Sequence, residues 1–402
     1  MKRGLVDSSE GKAALVLTGG GARAAYQMGV LLAIREIWGR RPGNPFPILC
    51  GTSAGAINAV ALATSAHDFS AGVRRVAWIW RNFHVHQVYR ASLGALIETG
   101  LRFGSALLFG WLIRQTPRSL LDNTPLANLL LRTLDLKNID RAIAAGFLHA
   151  VSVTASGYSS GESLAFFQAA PEVQGWRRAH RLGVREEITI PHLMASSAIP
   201  FVFPAMKINR EYFGDGSMRQ LAPISPAIHM GADRILVIGS GRRSEEGRRR
   251  SEGYPSLAQI AGHALSSIFL DGLAVDLERL ERINSTLKAM SAGQRETAGI
   301  KLRPLETLVI APSQRLDTIA SRHRNALPTA LRNVLRGVGA MRREGSTLLS
   351  YILFEPGYTR SLMQLGFRDA MVKEAEIRAF LRLPGGPQKD PKRHRGADKN
   401  VL

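Results

Sequence analysis

Ser53 sits in the run Gly51-Thr52-Ser53-Ala54-Gly55, a G-x-S-x-G pattern. An apolar stretch at 47–50 precedes it and a helix-compatible stretch at 54–66 follows. In that strand, turn and helix context a serine is held on a strained elbow with its hydroxyl presented. Small residues two places to either side, Gly51 and Gly55, let the backbone pass closely. The chemistry this predicts is nucleophilic attack by the Ser53 hydroxyl. The pattern recurs at Gly157-Tyr158-Ser159-Ser160-Gly161, but between strand-like runs at 149–155 and 163–168, which predicts a hairpin loop. With 39 glycines in 402 residues such matches arise by chance, so only Ser53 is retained.

A serine nucleophile needs a base and a site for negative charge. Gly19-Gly20-Gly21-Ala22-Arg23 follows a strand and opens a helix, where successive N–H groups can point at one oxygen. As an oxyanion hole, one such donor contributes about 3–4 kcal/mol to the transition state. Gly19, Gly21 and Ala24 also fit G-x-G-x-x-A, the fingerprint of a dinucleotide site. That reading requires an acidic residue about 20 positions on, at the end of the second strand. This strand ends instead in Cys50-Gly51-Thr52-Ser53, and the acid between Gly21 and His67 is Glu36, inside the helix. The dinucleotide reading fails.

Asp215 and Gly216, in Tyr212-Phe213-Gly214-Asp215-Gly216-Ser217, place a carboxylate on a tight turn. Alone, Asp-Gly reads as a turn. Beside an elbow serine and a glycine loop, it is a candidate base. His84, His86, His192 and His229 lie in contexts that read as structural or surface. No H-E-x-x-H and no cysteine cluster occurs, so neither a metal nor a cofactor is expected. Cys50, the one cysteine, reads as strand packing.

The elements that must position these residues read as β-α-β-α over 13–66, the opening of a parallel sheet. Residues 68–145 read as interrupted helices. Strands are expected at 149–155, 163–168, 205–209 and 234–239, with a helix at 192–198. The division expected is an N-terminal tail over 1–10, a catalytic α/β domain over 11–240, and a region over 241–385 that is mostly helical with one strand near 307–311. A disordered basic tail is expected over 386–402.

A hydrophobic fraction of 45% supports a large buried core, and the formal net charge of +21 would draw the chain to anionic surfaces. No nucleic-acid module is recognisable, so an anionic membrane surface is the expected peripheral partner. The N-terminus lacks the apolar segment of a cleaved signal, which predicts a cytoplasmic protein at the inner membrane surface. No apolar run is expected to span a bilayer. Residues 103–113, between Arg102 and Arg114, are only 11 long against the roughly 20 required. That run reads as a lid, an interfacial anchor or a core helix.

Taken in order, Gly19-Gly20-Gly21-Ala22-Arg23, Gly51-Thr52-Ser53-Ala54-Gly55 and Asp215-Gly216 resemble the patatin-like phospholipase family. So does the stretch Ala195-Ser196-Ser197-Ala198-Ile199-Pro200 through Phe203-Pro204 and on to Gly231-Ala232-Asp233. The resemblance covers roughly 13–240, and beyond it is looser, to bacterial members with helical C-terminal extensions. It implies a three-layer α/β/α fold with a mostly parallel central sheet. It also implies a Ser–Asp dyad esterase acting on a lipid ester: Ser53 as nucleophile, Asp215 as base and acid, the glycine loop as oxyanion hole, and no cofactor. Ala24 and Ser217 depart from the family pattern, and both are small. The rival readings are a thioesterase or small-ester esterase with the same residues, and a non-catalytic basic protein that binds lipid surfaces.

Overall fold

The computed structural model describes residues 11–90, 119–241, 254–299, 302–342 and 345–384. The terminal tails, the arginine-rich loop beyond Gly241 and the 103–113 run lie outside them. The sheet is built on five strands that run parallel: β10 (Glu306–Ile310), β9 (Arg234–Ile238), β1 (Ala13–Leu17), β2 (Ile48–Thr52) and β3 (Ala150–Gly157), in that spatial order. Beyond β3 the sheet turns mixed. β4 (Ser163–Ala169) pairs antiparallel with β3, and β6 (Arg181–Arg185) and β5 (Trp176–Arg178) form the edge. A second branch leaves β3, where β8 (Glu211–Asp215) pairs antiparallel with it and β7 (Met206–Ile208) pairs with β8.

All residues of β1, β2, β3 and β9 are buried, as expected of parallel strands covered on both faces. Side chains alternate between those faces. Leu15 and Leu17 join a core with α1 (Ala25–Trp38), α2 (Ala54–Ala63), α3 (Phe69–Arg81) and the C-terminal helices. Ala14 and Val16 pack on the other side with Ile224, Ala227 and Leu280. Three layers result.

The C-terminal region shares this core. Helix Pro356–Val372 lies so close along α1 that a Cβ at Gly29 or Gly366 would collide with the facing backbone. Phe354 meets Trp80 and Phe83, with ring centroids 6.3 and 5.6 Å apart.

One expectation is corrected. Helices Leu257–Ser266 and Gly272–Ala289 are joined through a π-helical turn, Ser267–Asp271. The resulting run of 33 residues is long and apolar enough, by length and composition alone, to cross a membrane. Polar residues interleaved along it hid that length from a search for unbroken apolar runs. Its Leu265, Phe269 and Leu277 are buried in the protein, while Leu257 and Val275 face outward.

Candidate active site

Ser53 lies at the junction of β2 and α2 with φ 56° and ψ −130°, in the region that disfavours side chains. Holding a non-glycine residue there costs about 1–3 kcal/mol, which the surrounding packing must offset. Gly55 makes the elbow compact: a Cβ there would collide with the carbonyls of Leu17 and Thr18 at the end of β1. The junction therefore sits against the strand that leads into the glycine loop.

Asp215 ends β8, paired with Ala155 of β3, and Gly216 begins the short 3-10 turn Gly216–Arg219. The carboxylate is fully buried, and its Oδ1 accepts the Ser217 N–H at 2.9 Å. Burial pushes its pKa up to about 6, while hydrogen bonding from the Ser53 hydroxyl and from the Ser217 N–H and hydroxyl pulls it back down. Neither Oδ2 nor the Ser217 hydroxyl completes a hydrogen bond of full geometry among the described residues. Oδ2 is thus the oxygen left to take a proton.

One segment holds both groups. Ser196, on helix Ile190–Ser196, donates its hydroxyl to the Thr154 carbonyl at 2.6 Å and accepts the Ser53 N–H at 2.8 Å. Two residues on, the Ala198 carbonyl accepts the Asp215 N–H at 2.9 Å. A shift of this segment would move Ser53 and Asp215 together. Sequence reasoning assigned Ser196 no role. The signal was the serine pair Ser196-Ser197, and only the helix orientation shows which hydroxyl reaches the elbow.

The glycine loop packs beside them. Gly21–Ala24 form a 3-10 turn capped by Gly20, and the Arg23 N–H is spent on the Gly20 carbonyl at 3.1 Å. Gly20, Gly21 and Ala22 remain as the positions whose N–H groups a helix start leaves unused. The Arg23 side chain turns away from Ser53. Its Nε donates to Ser350 at 2.8 Å, Nη1 donates to the Tyr351 hydroxyl at 3.0 Å, and the guanidinium lies 3.9 Å from the Tyr351 ring centroid. Arg23 is an anchor between loop and C-terminal helix. Gly19 abuts the Ser217 hydroxyl, so loop and aspartate turn touch.

From Gly21 and Ser53 a narrow apolar cavity of about 70 Å³ runs between α2, α3 and helix Thr124–Thr133. Trp80, Leu130, Phe203 and Phe354 are among its walls. The Asn58 amide in its wall is bonded through both its oxygen and its nitrogen. Asn58 accepts from Trp80 Nε1 at 2.8 Å and donates to Gln27 at 3.0 Å, and Gln27 in turn donates to the Thr18 carbonyl at 2.7 Å. A polar chain thus ties the cavity wall to the root of the glycine loop.

His84, His192 and His229 lie elsewhere. His84 pairs with Glu355 at 3.1 Å, His229 stacks on Trp176, and buried His192 packs on Phe166. Cys50 is buried in β2, which pushes its thiol up to about 12. Among the described residues no cluster of metal-ligating side chains occurs.

The sequence model of the family described as "Patatin-like phospholipase" matches residues 15–228, more than half of the chain. The chain belongs to this family. The patatin fold accounts for the parallel core strands and flanking helices, and Ser53, Asp215 and the glycine loop all lie within the matched stretch. A curated relative, the cGAMP-activated phospholipase of Pseudomonas aeruginosa, is 28% identical over 217 residues, which is 52% of this chain and 53% of that protein. The chain therefore matches about half the length of that relative. Among solved structures, human GIVD cytosolic phospholipase A2, in complex with a fluorophosphonate inhibitor, gives a TM-score of 0.40 at 14% identity, covering 95% of this chain and 61% of that one. VipD from Legionella pneumophila gives 0.35 at 13%, covering 92% and 67%. Likeness of that extent adds nothing on function.

Proposed function

We propose that this patatin-like protein is a serine lipid acyl hydrolase, phospholipase A-like, that uses Ser53 and Asp215 as a dyad and releases free fatty acid. The observation that carries the reading is the elbow serine beside a buried, unsaturated carboxylate, at the mouth of an apolar cavity. Ser53 Oγ bonds to the ester carbonyl carbon as its proton passes to Asp215 Oδ2. The N–H groups of Gly20, Gly21 and Ala22 receive the oxyanion. Collapse expels the alcohol, which takes the proton from Asp215. Water then attacks the acyl-enzyme, again losing its proton to Asp215, and fatty acid leaves as Ser53 is reprotonated. Burial makes Asp215 a stronger base than an exposed carboxylate, which suits that role near neutral pH.

The cavity, about 70 Å³ against the roughly 300–1,000 Å³ of ordinary ligand pockets, favours one second reading: a thioesterase or small-ester esterase using the same residues. Fatty-acid release from mixed phospholipid vesicles, beside an acyl thioester and a soluble short-chain ester, separates the two. Release from vesicles that vanishes in Ser53→Ala supports the lipid hydrolase. Turnover of only the soluble substrates supports the second reading. Vesicle binding with no turnover of any substrate would overturn both in favour of a non-catalytic lipid-surface protein.

The protein is further proposed to work in the cytoplasm with peripheral contact to an anionic membrane surface. Exposed Phe201, Leu131 and Leu221 neighbour residues of the cavity and the aspartate turn, and the chain carries its +21 charge. Binding to anionic vesicles that weakens with salt is expected, and equal binding to neutral vesicles at every salt concentration would contradict it.

A further inference from the structure

A much larger cavity lies toward the opposite ends of the central strands. Its volume is about 620 Å³, and it opens between the C-terminal end of α1, the turn Gly39–Pro42 that leads toward β2, and the first turns of α3. Ser53 and the glycine loop stand at the C-terminal ends of β1 and β2. Arg35 lies about 16 Å from Ala24 along α1, so the two sites are separate.

Four guanidinium groups line this cavity: Arg35, Arg40, Arg41 and Arg74. The two acids that share it, Glu36 and Asp68, leave an excess of positive charge. Asp68 is already committed, because its carboxylate caps α3 by accepting the Ala71 N–H at 2.9 Å. Among the described residues no carboxylate lies within ion-pair distance of any of the four arginines. Arg35 Nε is shut off from solvent and has no acceptor among the described residues, an unmet donor inside a protein wall. Arg41 is preset: Nη1 donates to the Trp38 carbonyl at 2.7 Å, while Trp38 Nε1 donates back to the Arg41 carbonyl at 3.2 Å.

Like charges gathered around one concavity repel one another, and an anion inside it relieves that repulsion. Planar guanidinium forks match the paired oxygens of a phosphate, and several forks suit a group carrying more than one negative charge. The volume exceeds what a bare phosphate needs and lies in the range of small-molecule sites. We propose that this cavity binds a phosphate-bearing ligand, held by Arg35, Arg40, Arg41 and Arg74 and independent of the ester-hydrolysing site. A soluble phosphorylated molecule and a phospholipid headgroup present the same chemistry.

The test uses the full-length protein with two probes. Inorganic pyrophosphate is titrated by calorimetry, and phosphatidylcholine vesicles containing phosphatidylglycerol are sedimented with the protein. Arg40→Ala/Arg74→Ala removes two exposed arginines of the cavity. Arg177→Ala/Arg210→Ala removes the same charge from exposed positions elsewhere. Saturable pyrophosphate binding is expected in the wild type, weakened about tenfold or more in the cavity variant and unchanged in the control. If only pyrophosphate binding falls, the natural ligand is a soluble phosphate. If vesicle binding falls with it, the ligand is a headgroup. Absence of saturable pyrophosphate binding, retention of full affinity by the cavity variant, or an equal loss in the control would overturn the proposal. The readout is binding, so the result stands apart from the outcome for hydrolysis.

Discussion

The chain holds the same five-residue pattern twice, and the two copies meet opposite fates. Gly51–Gly55 joins a buried parallel strand to a helix, and its serine is forced to φ 56° with 1% of its surface exposed. Gly157–Gly161 joins β3 to β4 in an antiparallel hairpin, with Tyr158, Ser159 and Ser160 exposed and the Ser159 and Ser160 N–H groups donated to Glu211. The carboxylate beside the first copy, Asp215, is fully buried and hydrogen-bonded by the Ser53 hydroxyl, and an apolar cavity opens in front of it. The pattern supplies small residues and a hydroxyl, while the connection between strand and next element decides whether strain and burial turn that hydroxyl to chemistry.

The largest effect expected from breaking this contrast is on Ser53. Ser53→Ala should lower lipid-ester turnover by about 10⁴-fold or more, whereas Ser159→Ala should leave it within about twofold, read as fatty-acid release.

Asp215→Asn should cost activity on a similar scale, about 10³-fold or more, yet raise stability. The folded carboxyl has its pKa raised to about 6 from 3.8, so its favourable contribution is complete below 3.8 and is lost as pH rises through 6. Above pH 6 the wild type carries a buried charge that the asparagine lacks. Urea unfolding should show the variant more stable there, by on the order of 1–3 kcal/mol, with the gap closing towards pH 4. Wild-type kcat should fall on the acid side with an apparent pKa near 6. A variant less stable than wild type at pH 8 would contradict this account of the site.

Ser196→Ala sharpens the comparison, since the hairpin copy is held by an exposed-loop carboxylate, Glu211, and the elbow by a buried hydroxyl. It leaves the buried Ser53 N–H without its acceptor, which costs about 1–3 kcal/mol of stability. kcat should drop roughly 10- to 100-fold with KM nearly unchanged and the acid limb still near 6, because Ser196 holds Ser53 in place without titrating.

The smallest effect is on Ser217, whose hydroxyl lowers the Asp215 pKa. Ser217→Ala should move the acid limb of the kcat profile upward by roughly a few tenths of a unit. A downward shift would show that the hydroxyl favours the neutral carboxyl instead.

The β-α-β-α opening was legible because buried parallel strands are written as short apolar runs and the glycine punctuation is local. The hairpin identity of 157–161 was legible for the same reason. β5 and β6 were not, because their Trp-Arg-Arg and Arg-Leu-Gly-Val-Arg runs look like charged loop. Pairing with β4 and stacking of Trp176 between Phe167 and His229 make them strands. At the site, Ser53, Asp215 and the glycines could be named from types and spacing. Ser196, the anchoring of Arg23 on Tyr351 and the place of Phe354 in the cavity wall join residues up to 328 apart, and no local pattern encodes such contacts.

The central claim, that Ser53 and not its twin is the nucleophile, is tested most directly by labelling the folded protein with an alkyl fluorophosphonate and mapping the adduct by peptide mass spectrometry. A single adduct on Ser53, formed quickly in the wild type and strongly slowed in Asp215→Asn, is the result expected. An adduct on Ser159 or Ser160, or a protein left unlabelled while correctly folded, would contradict the account.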